Sequence, residues 1–177
     1  MDSQLIINNF FIVLGGLDET VMLVLLSLSI GFFISIFFAL ARISSIKALS
    51  QSVYYYIFII RGTPLLVQIY LIYFGLASIK AIRESFLWIF LKEPFWCGVL
   101  ALVLNTVAYT TEIIRGGIQS VAKGQIESCK SLGMNRFTMY YKIILPVAFR
   151  QAFPAYGNEM ILMVKATSLV SLTTYME

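Results

Sequence analysis

Histidine is absent from the 177 residues, and only 12% of them are charged against 59% hydrophobic. Without imidazole, a histidine-bearing metal site and a serine–histidine–aspartate triad are both excluded. No cluster of carboxylates replaces them. No catalytic set, metal site or cofactor site is therefore read from these residues. Cysteine is also scarce. Cys97 and Cys129 are the only two, and the topology derived below sets them near opposite faces, which argues against a disulfide. A secretory signal is not expected either: Met1-Asp2-Ser3 brings no early Lys or Arg, and no small-residue cleavage site follows the first apolar run.

What fills the chain instead is long apolar sequence. Mean hydropathy is +0.86, and a soluble domain is about a quarter charged. No charged residue occurs from Thr20 to Ala41, from Gly62 to Ile79 or from Pro94 to Thr111. Each run approaches or exceeds the roughly 20 apolar residues that a helix needs to cross the hydrocarbon core. The runs are continuous rather than alternating, which excludes barrel strands. The expected fold is an all-α membrane protein, a polytopic helical bundle forming one transmembrane domain. Spans are expected at about 18–41, 54–79 and 95–113. A fourth, at about 138–163, is interrupted by Lys142, Pro146, Arg150, Pro154 and Glu159. It reads as a span packed against protein or a polar cavity, because lipid-facing charge is costly. The N-terminal stretch as far as Gly16 includes most of "LIINNFFIVLGGL". It is read either as an interfacial amphipathic helix or as a disordered tail.

Counting Lys and Arg gives an orientation. With the N-terminus outside, Arg42, Lys47, Arg115, Lys123, Lys130, Arg136 and Lys142 collect on the cytoplasmic side, and Lys80, Arg83 and Lys92 on the other. The positive-inside rule favours that arrangement. The net charge of +4 then reflects membrane topology. It does not signal nucleic acid, since no basic patch carries interleaved exposed aromatics.

Three polar interruptions stand out. In "IIRGTPLLVQIYLIYFG", Arg61 sits in apolar surroundings and Thr63-Pro64 follow at once. Proline removes a backbone donor and disfavours helix in the preceding residue. Two readings are open: a bend beside a translocation path, or an ordinary start of the second span with Arg61 reaching the headgroups. In "NTVAYTTEIIRGGIQSVAKGQ", Glu112 and Arg115 share a helix face and can pair, and Gly116-Gly117 are expected to end that helix. A short helix at about 120–132 follows. Its stripe of Ala122, Ile126 and Cys129, then Gly133, leaves Lys123, Gln125, Glu127 and Lys130 on the polar side. Such a helix lies on a surface, and Gly133 can close it in a left-handed conformation. Leu145-Pro146 is expected to kink the start of the next span. Tied to two spans, this helix is either a handle for a soluble partner or a cap on the bundle.

The stretch "ESCKSLGMNRFTMYYKIILP" resembles the EAA motif of ABC importer permeases. Glu127, Gly133, Ile143, Leu145 and Pro146 fall in register, with Ser128 and Cys129 replacing two alanines. "RGTPLLVQ", "EIIRGGIQSVAKGQ" and "LPVAFRQAFPAYGNEMILMVKATSL" resemble the polar amino acid uptake branch over nearly the whole chain. The resemblance implies a permease core working as a pair of permease chains, identical or sister. It also implies two ABC ATPase subunits on the cytoplasmic face of a bacterial inner membrane, and a periplasmic or lipid-anchored amino acid binding protein. Gly124, Gln125, Glu127, Ser128, Cys129, Gly133, Leu145 and Pro146 would couple to the ATPase. No phosphate-binding loop of the GxxxxGK[ST] type occurs in the chain itself, and the chain is not expected to be an enzyme.

Arg61, Thr63, Pro64, Asn158, Glu159 and Lys165 are the candidates for the translocation path; Glu112, Arg115 and Gly116 are read as structural. Intramembrane ionisable groups are functional candidates by default. Glu159 is read as a partner either for a cationic group on the substrate or for Lys165. The sequence departs from the family twice. Ala166 stands where an acidic residue is usual, and the chain stops at Glu177 where the family continues with a fifth span. Two other readings follow: a truncated remnant that does not transport, and a small channel or secondary transporter using Glu159 and Lys165 as a charge relay.

Overall fold

The computed structural model describes residues 15–174. The expectations for the segment before Gly15 lie outside the described residues. Among the described residues the fold is helical with no strand. The long elements are α1 (Leu17–Ile43), α2 (Lys47–Gly62), α3 (Leu65–Tyr70), α4 (Pro94–Gln119), α5 (Lys123–Ser131) and α6 (Leu145–Thr174). A π-helical turn, Leu71–Gly75, extends α3 to Leu76–Ser78, and short turns Lys80–Arg83 and Trp88–Leu91 lead into α4. α1 and α4 are long and apolar enough to cross a membrane. α6, at 30 residues, spans about 45 Å of rise but carries Arg150, Glu159 and Lys165.

The second apolar run does not form one straight helix. α2 starts at Lys47, stops at Gly62, and the segment Leu65–Ser78 leaves it at 105°. The cause is local. Thr63 and Pro64 are both extended, at ψ 141° and 135°, as proline and its preceding residue favour. Pro64 also has no N–H to give the Ile60 carbonyl. The Gln68 side-chain nitrogen fills that role, 2.7 Å from Ile60 O, 3.0 Å from Thr63 O and 2.8 Å from Thr63 Oγ1. The Thr63 hydroxyl in turn donates to Ile59 O at 2.9 Å. Of the two sequence readings, the bend is the one that forms.

α4 is the central element, with α1 along one side and α6 along another. Small residues let the helices approach, as between membrane helices generally. A Cβ on Gly31 would lie 2.6 Å from Thr106 Cγ2, and one on Gly117 2.6 Å from Ala148 O. One on Gly98 would collide with Val170 Cγ1. Ala101, Leu102, Thr106, Ala108, Thr110 and Thr111 of α4 are fully buried. The Tyr56 hydroxyl donates to Leu104 O at 2.7 Å and ties α2 to the same helix.

These contacts correct the expected helix end at Gly116-Gly117. α4 runs on to Gln119. Gly117 serves the approach of α6, while Gly116 faces open space. The contacts also fix the ends of the bundle: Gly98 meets Val170, and Gly117 meets Ala148, so α4 and α6 are antiparallel. The links at 44–46 and 120–135 therefore share one end, and residues 79–93 lie at the other.

Replacing Gly117 by Ala drives a methyl into backbone and is expected to cost about 1–3 kcal/mol by overpacking. Gly116→Ala meets nothing within 4 Å and should be neutral or stabilising. Thermal unfolding of the two detergent-purified variants checks this. Equal midpoints would show that the α4–α6 approach is not tight.

Candidate functional site

Two polar features interrupt the apolar bundle, one within it and one at its end. The first is a cavity of about 430 Å³ lined by Arg61, Gly62, Thr63, Pro64 and Leu65 from the break, Asn105 and Tyr109 from α4, and Glu159, Leu162, Met163 and Ala166 from α6. The break supplies one wall because the chain turns there. α4 supplies Asn105 and Tyr109 one helical turn apart. Glu159 is buried on α6 at 6% exposure. The Arg61 guanidinium lies over the Tyr109 ring, 4.8 Å from its centroid. Among the described residues, neither Arg61 nor Glu159 has an ion-pair partner. The cavity thus presents a guanidinium and a carboxylate, not joined in a direct ion pair, to the same space.

Arg61, Gly62 and Tyr109 also line a second cavity of about 450 Å³, with Arg42, Tyr54, Glu112 and Arg115. Glu112 accepts from Arg115 Nε at 3.0 Å and from Arg115 Nη2 at 2.6 Å, and Arg42 Nε lies 4.0 Å away. The Arg42 side chain donates to Ser50 Oγ at 2.9 Å and sits over the Tyr54 ring. The expected Glu112–Arg115 pair is therefore present, as the centre of a cluster that joins α1, α2 and α4. Along α4 the two cavities are stacked, and the Arg61–Tyr109 contact sits where they meet.

Four of the six path candidates, Arg61, Thr63, Pro64 and Glu159, converge on the first cavity. Asn158 and Lys165 do not; both are exposed on other faces of α6. The helical rotation between the two positions turns Lys165 well away from Glu159, so a charge relay between them has no geometry. Ala166, at the position usually acidic in the resembled family, lies on the cavity wall. Asn105 and Tyr109 belong to the same wall and were not singled out, because inside a charge-free run they carry no sign of which face is wet.

The second feature is α5. Val121, Ile126 and Cys129 pack with Met139 and Ile144. Ala122, expected in that stripe, is exposed, and Val121 takes its place. Gly124, Gln125, Glu127 and Ser128 form the free face. Gly133 has φ 72°. Its N–H donates to Lys130 O at 3.0 Å, and that of Met134 donates to Cys129 O at 3.1 Å, the paired bonds of a Schellman ending. Asn135 then caps the next turn by accepting from Thr138 N at 2.7 Å. A π-helical turn, Tyr140–Ile144, precedes Leu145. Pro146 cannot donate to the Lys142 carbonyl, and the irregularity falls there. Both cysteines are free and buried, one near each end of the bundle.

A family model described as binding-protein-dependent transport system inner membrane component matches residues 31–175. The nopaline transport system permease protein of Agrobacterium fabrum is 50% identical over 178 residues, covering 100% of this chain and 74% of its own length. The histidine/lysine/arginine/ornithine transport system permease protein of Escherichia coli is 43% identical over 160 residues, covering 90% and 67%. A solved structure of an amino acid ABC transporter with histidines superposes with TM-score 0.86 at 38% identity, covering 98% of this chain and 77% of its own.

Water access to the first cavity is testable by thiol labelling, since the native cysteines are buried. Asn105→Cys should react with a hydrophilic methanethiosulfonate in membranes, and Thr106→Cys, fully buried, should not. An Asn105→Cys variant as unreactive as Thr106→Cys would mean that the cavity is not open to water.

Proposed function

The chain belongs to the family of inner membrane components of binding-protein-dependent transport systems, and on that premise we propose that its intramembrane cavity is the station through which a polar amino acid crosses. The chain is a permease subunit of an amino acid ABC importer, and ATP hydrolysis resides in a partner subunit. The observation that carries the reading is the pair of opposite charges on one cavity, Arg61 and Glu159, which act on each other without a direct ion pair. In a membrane such groups face a path or a partner. A free amino acid supplies both partners at once: its carboxylate suits the Arg61 guanidinium, and an ammonium or guanidinium suits Glu159. Permeases with arginine in their names are among the relatives, which makes L-arginine the first solute to try.

The α5 end, rich in Lys and Arg, is assigned to the cytoplasm, which places the N-terminus outside. The free face of α5 is then the contact for the ATPase, with Glu127 and Ser128 toward it and Cys129 toward the bundle. α5 is joined to α4 through a short link and to α6 through the Gly133 and Asn135 caps. Movement of the ATPase is thereby delivered to the helices that hold the cavity walls. A second permease chain, identical or sister, completes the path, and a periplasmic or lipid-anchored binding protein delivers the solute.

Two experiments test this. Glu159→Gln, in the assembled transporter, should raise the L-arginine KM by roughly 10- to 100-fold, the worth of a hydrogen bond to a charged group. An unchanged KM would remove Glu159 from the path. Gly133→Val should weaken co-purification with the ATPase subunit while leaving membrane insertion intact, because a β-branched residue at φ 72° is strained and loosens the end of α5. Recovery of the variant complex at wild-type yield would show that α5 is not the contact.

A further inference from the structure

We propose that Gln68 is a positioning residue of the transport site, holding the broken helix so that Arg61 and Thr63 face the cavity. This rests on the reading of that cavity as the solute station. Gln68 belongs to α3 and does not itself line the cavity. Its side chain turns back along the chain to the end of α2 instead. The Ile60 carbonyl would accept from residue 64 in a continuous helix, but Pro64 has no N–H. The Gln68 amide donates there at 2.7 Å, and its second hydrogen is shared by Thr63 Oγ1 at 2.8 Å and Thr63 O at 3.0 Å. All three acceptors belong to the last turn of α2 and the residue just past it. Arg61 and Gly62 lie between Ile60 and Thr63, so one amide clasps the segment from both sides.

The other end of the same amide shows what the residue is kept for. Gln68 Oε1 is buried and has no hydrogen-bond partner among the described residues, and the residue as a whole is only 8% exposed. A buried acceptor without a partner is unfavourable, so the position is occupied for its donors. A glutamate at this place would offer none, and a leucine would leave the carbonyls bare. Backbone groups freed by a break at membrane depth are tolerated only where something re-satisfies them. Here the Gln68 side chain supplies the donors, so the angle of the break is held by a specific contact. α3 packs against α4 and α6, and Gln68 therefore ties the break to the two helices bearing Tyr109 and Glu159.

The test separates positioning from stability. Gln68→Leu and Gln68→Glu are assembled with the ATPase, partner permease and binding protein. L-Arginine uptake and thermal stability are measured on equal amounts of complex. A KM raised about tenfold or more is expected for both, as for any displacement of a binding group by about an ångström. The deciding variant is Pro64→Ala combined with Gln68→Leu. Residue 64 then has its own N–H, so the helix can run on through the break and satisfy Ile60 without the side chain. This double variant should regain thermal stability and keep the raised KM, because Arg61 no longer faces Glu159. If Gln68→Leu alone does not assemble, the double variant still decides.

A wild-type KM in either leucine-containing complex would overturn the role of Gln68. Glu159→Gln run in parallel keeps the two claims apart. If it raises KM while the Gln68 variants do not, only the positioning role fails. If it too leaves KM unchanged, the cavity is not the station.

Discussion

A helix that breaks inside hydrocarbon exposes backbone groups to a solvent that cannot bond them. In this chain the break at Thr63–Pro64 sets that demand, and much of the molecule is arranged around it. The Gln68 amide and the Thr63 hydroxyl satisfy the carbonyls of Ile59, Ile60 and Thr63. α4 and α6 line the space beside the same place. The result is a polar pocket in an apolar bundle. Its depth is reached only because α2 ends there and α3 departs at 105°. A straight helix would place Arg61 against whatever lay beside the helix, with no reason to share a space with Glu159.

The pocket and the α5 end of the bundle are joined mechanically by two helices. α4 carries Asn105 and Tyr109 near its middle and Glu112 and Arg115 nearer the α5 end. α6 carries Glu159, and its first turns pack on α4 where Gly117 meets Ala148. α5 connects the two. Its Schellman ending and the Asn135 cap satisfy backbone groups within a few residues, so little slack separates α5 from the spans. The Glu112–Arg115–Arg42 cluster ties α1 to the same region. Force applied at α5 therefore reaches the walls of both cavities through packed helix rather than through loop.

Much of this was legible in the residues. The first and third apolar runs marked long helices, because only length and the absence of charge are needed for that, while the second is broken at Thr63–Pro64. Glu112 and Arg115 were readable as a pair from helix spacing alone, and Gly133 as a helix end from the polar stripe before it. Glycine was ambiguous elsewhere. Gly116-Gly117 looks like a terminus, yet Gly117 is there because Ala148 comes within reach of its missing side chain. That reason lies on another helix, distant in sequence, and leaves no local sign. Lys165 was grouped with Glu159 by chemistry, but helix rotation separates them. Asn105 and Tyr109 were hidden by the reverse effect, since polar side chains without charge do not interrupt an apolar run. Gln68 was visible only as part of a motif, its meaning depending on a carbonyl on the far side of the break.

The central claim is that the break presents Arg61 opposite Glu159 to receive a solute. The most direct measurement is an electron cryomicroscopy structure of the assembled transporter trapped with L-arginine. The account predicts solute density between the Arg61 guanidinium and the Glu159 carboxylate, with α2 still broken at Thr63–Pro64. Density seated elsewhere along the permease pair, or a helix running straight through Pro64 in the loaded state, would contradict it.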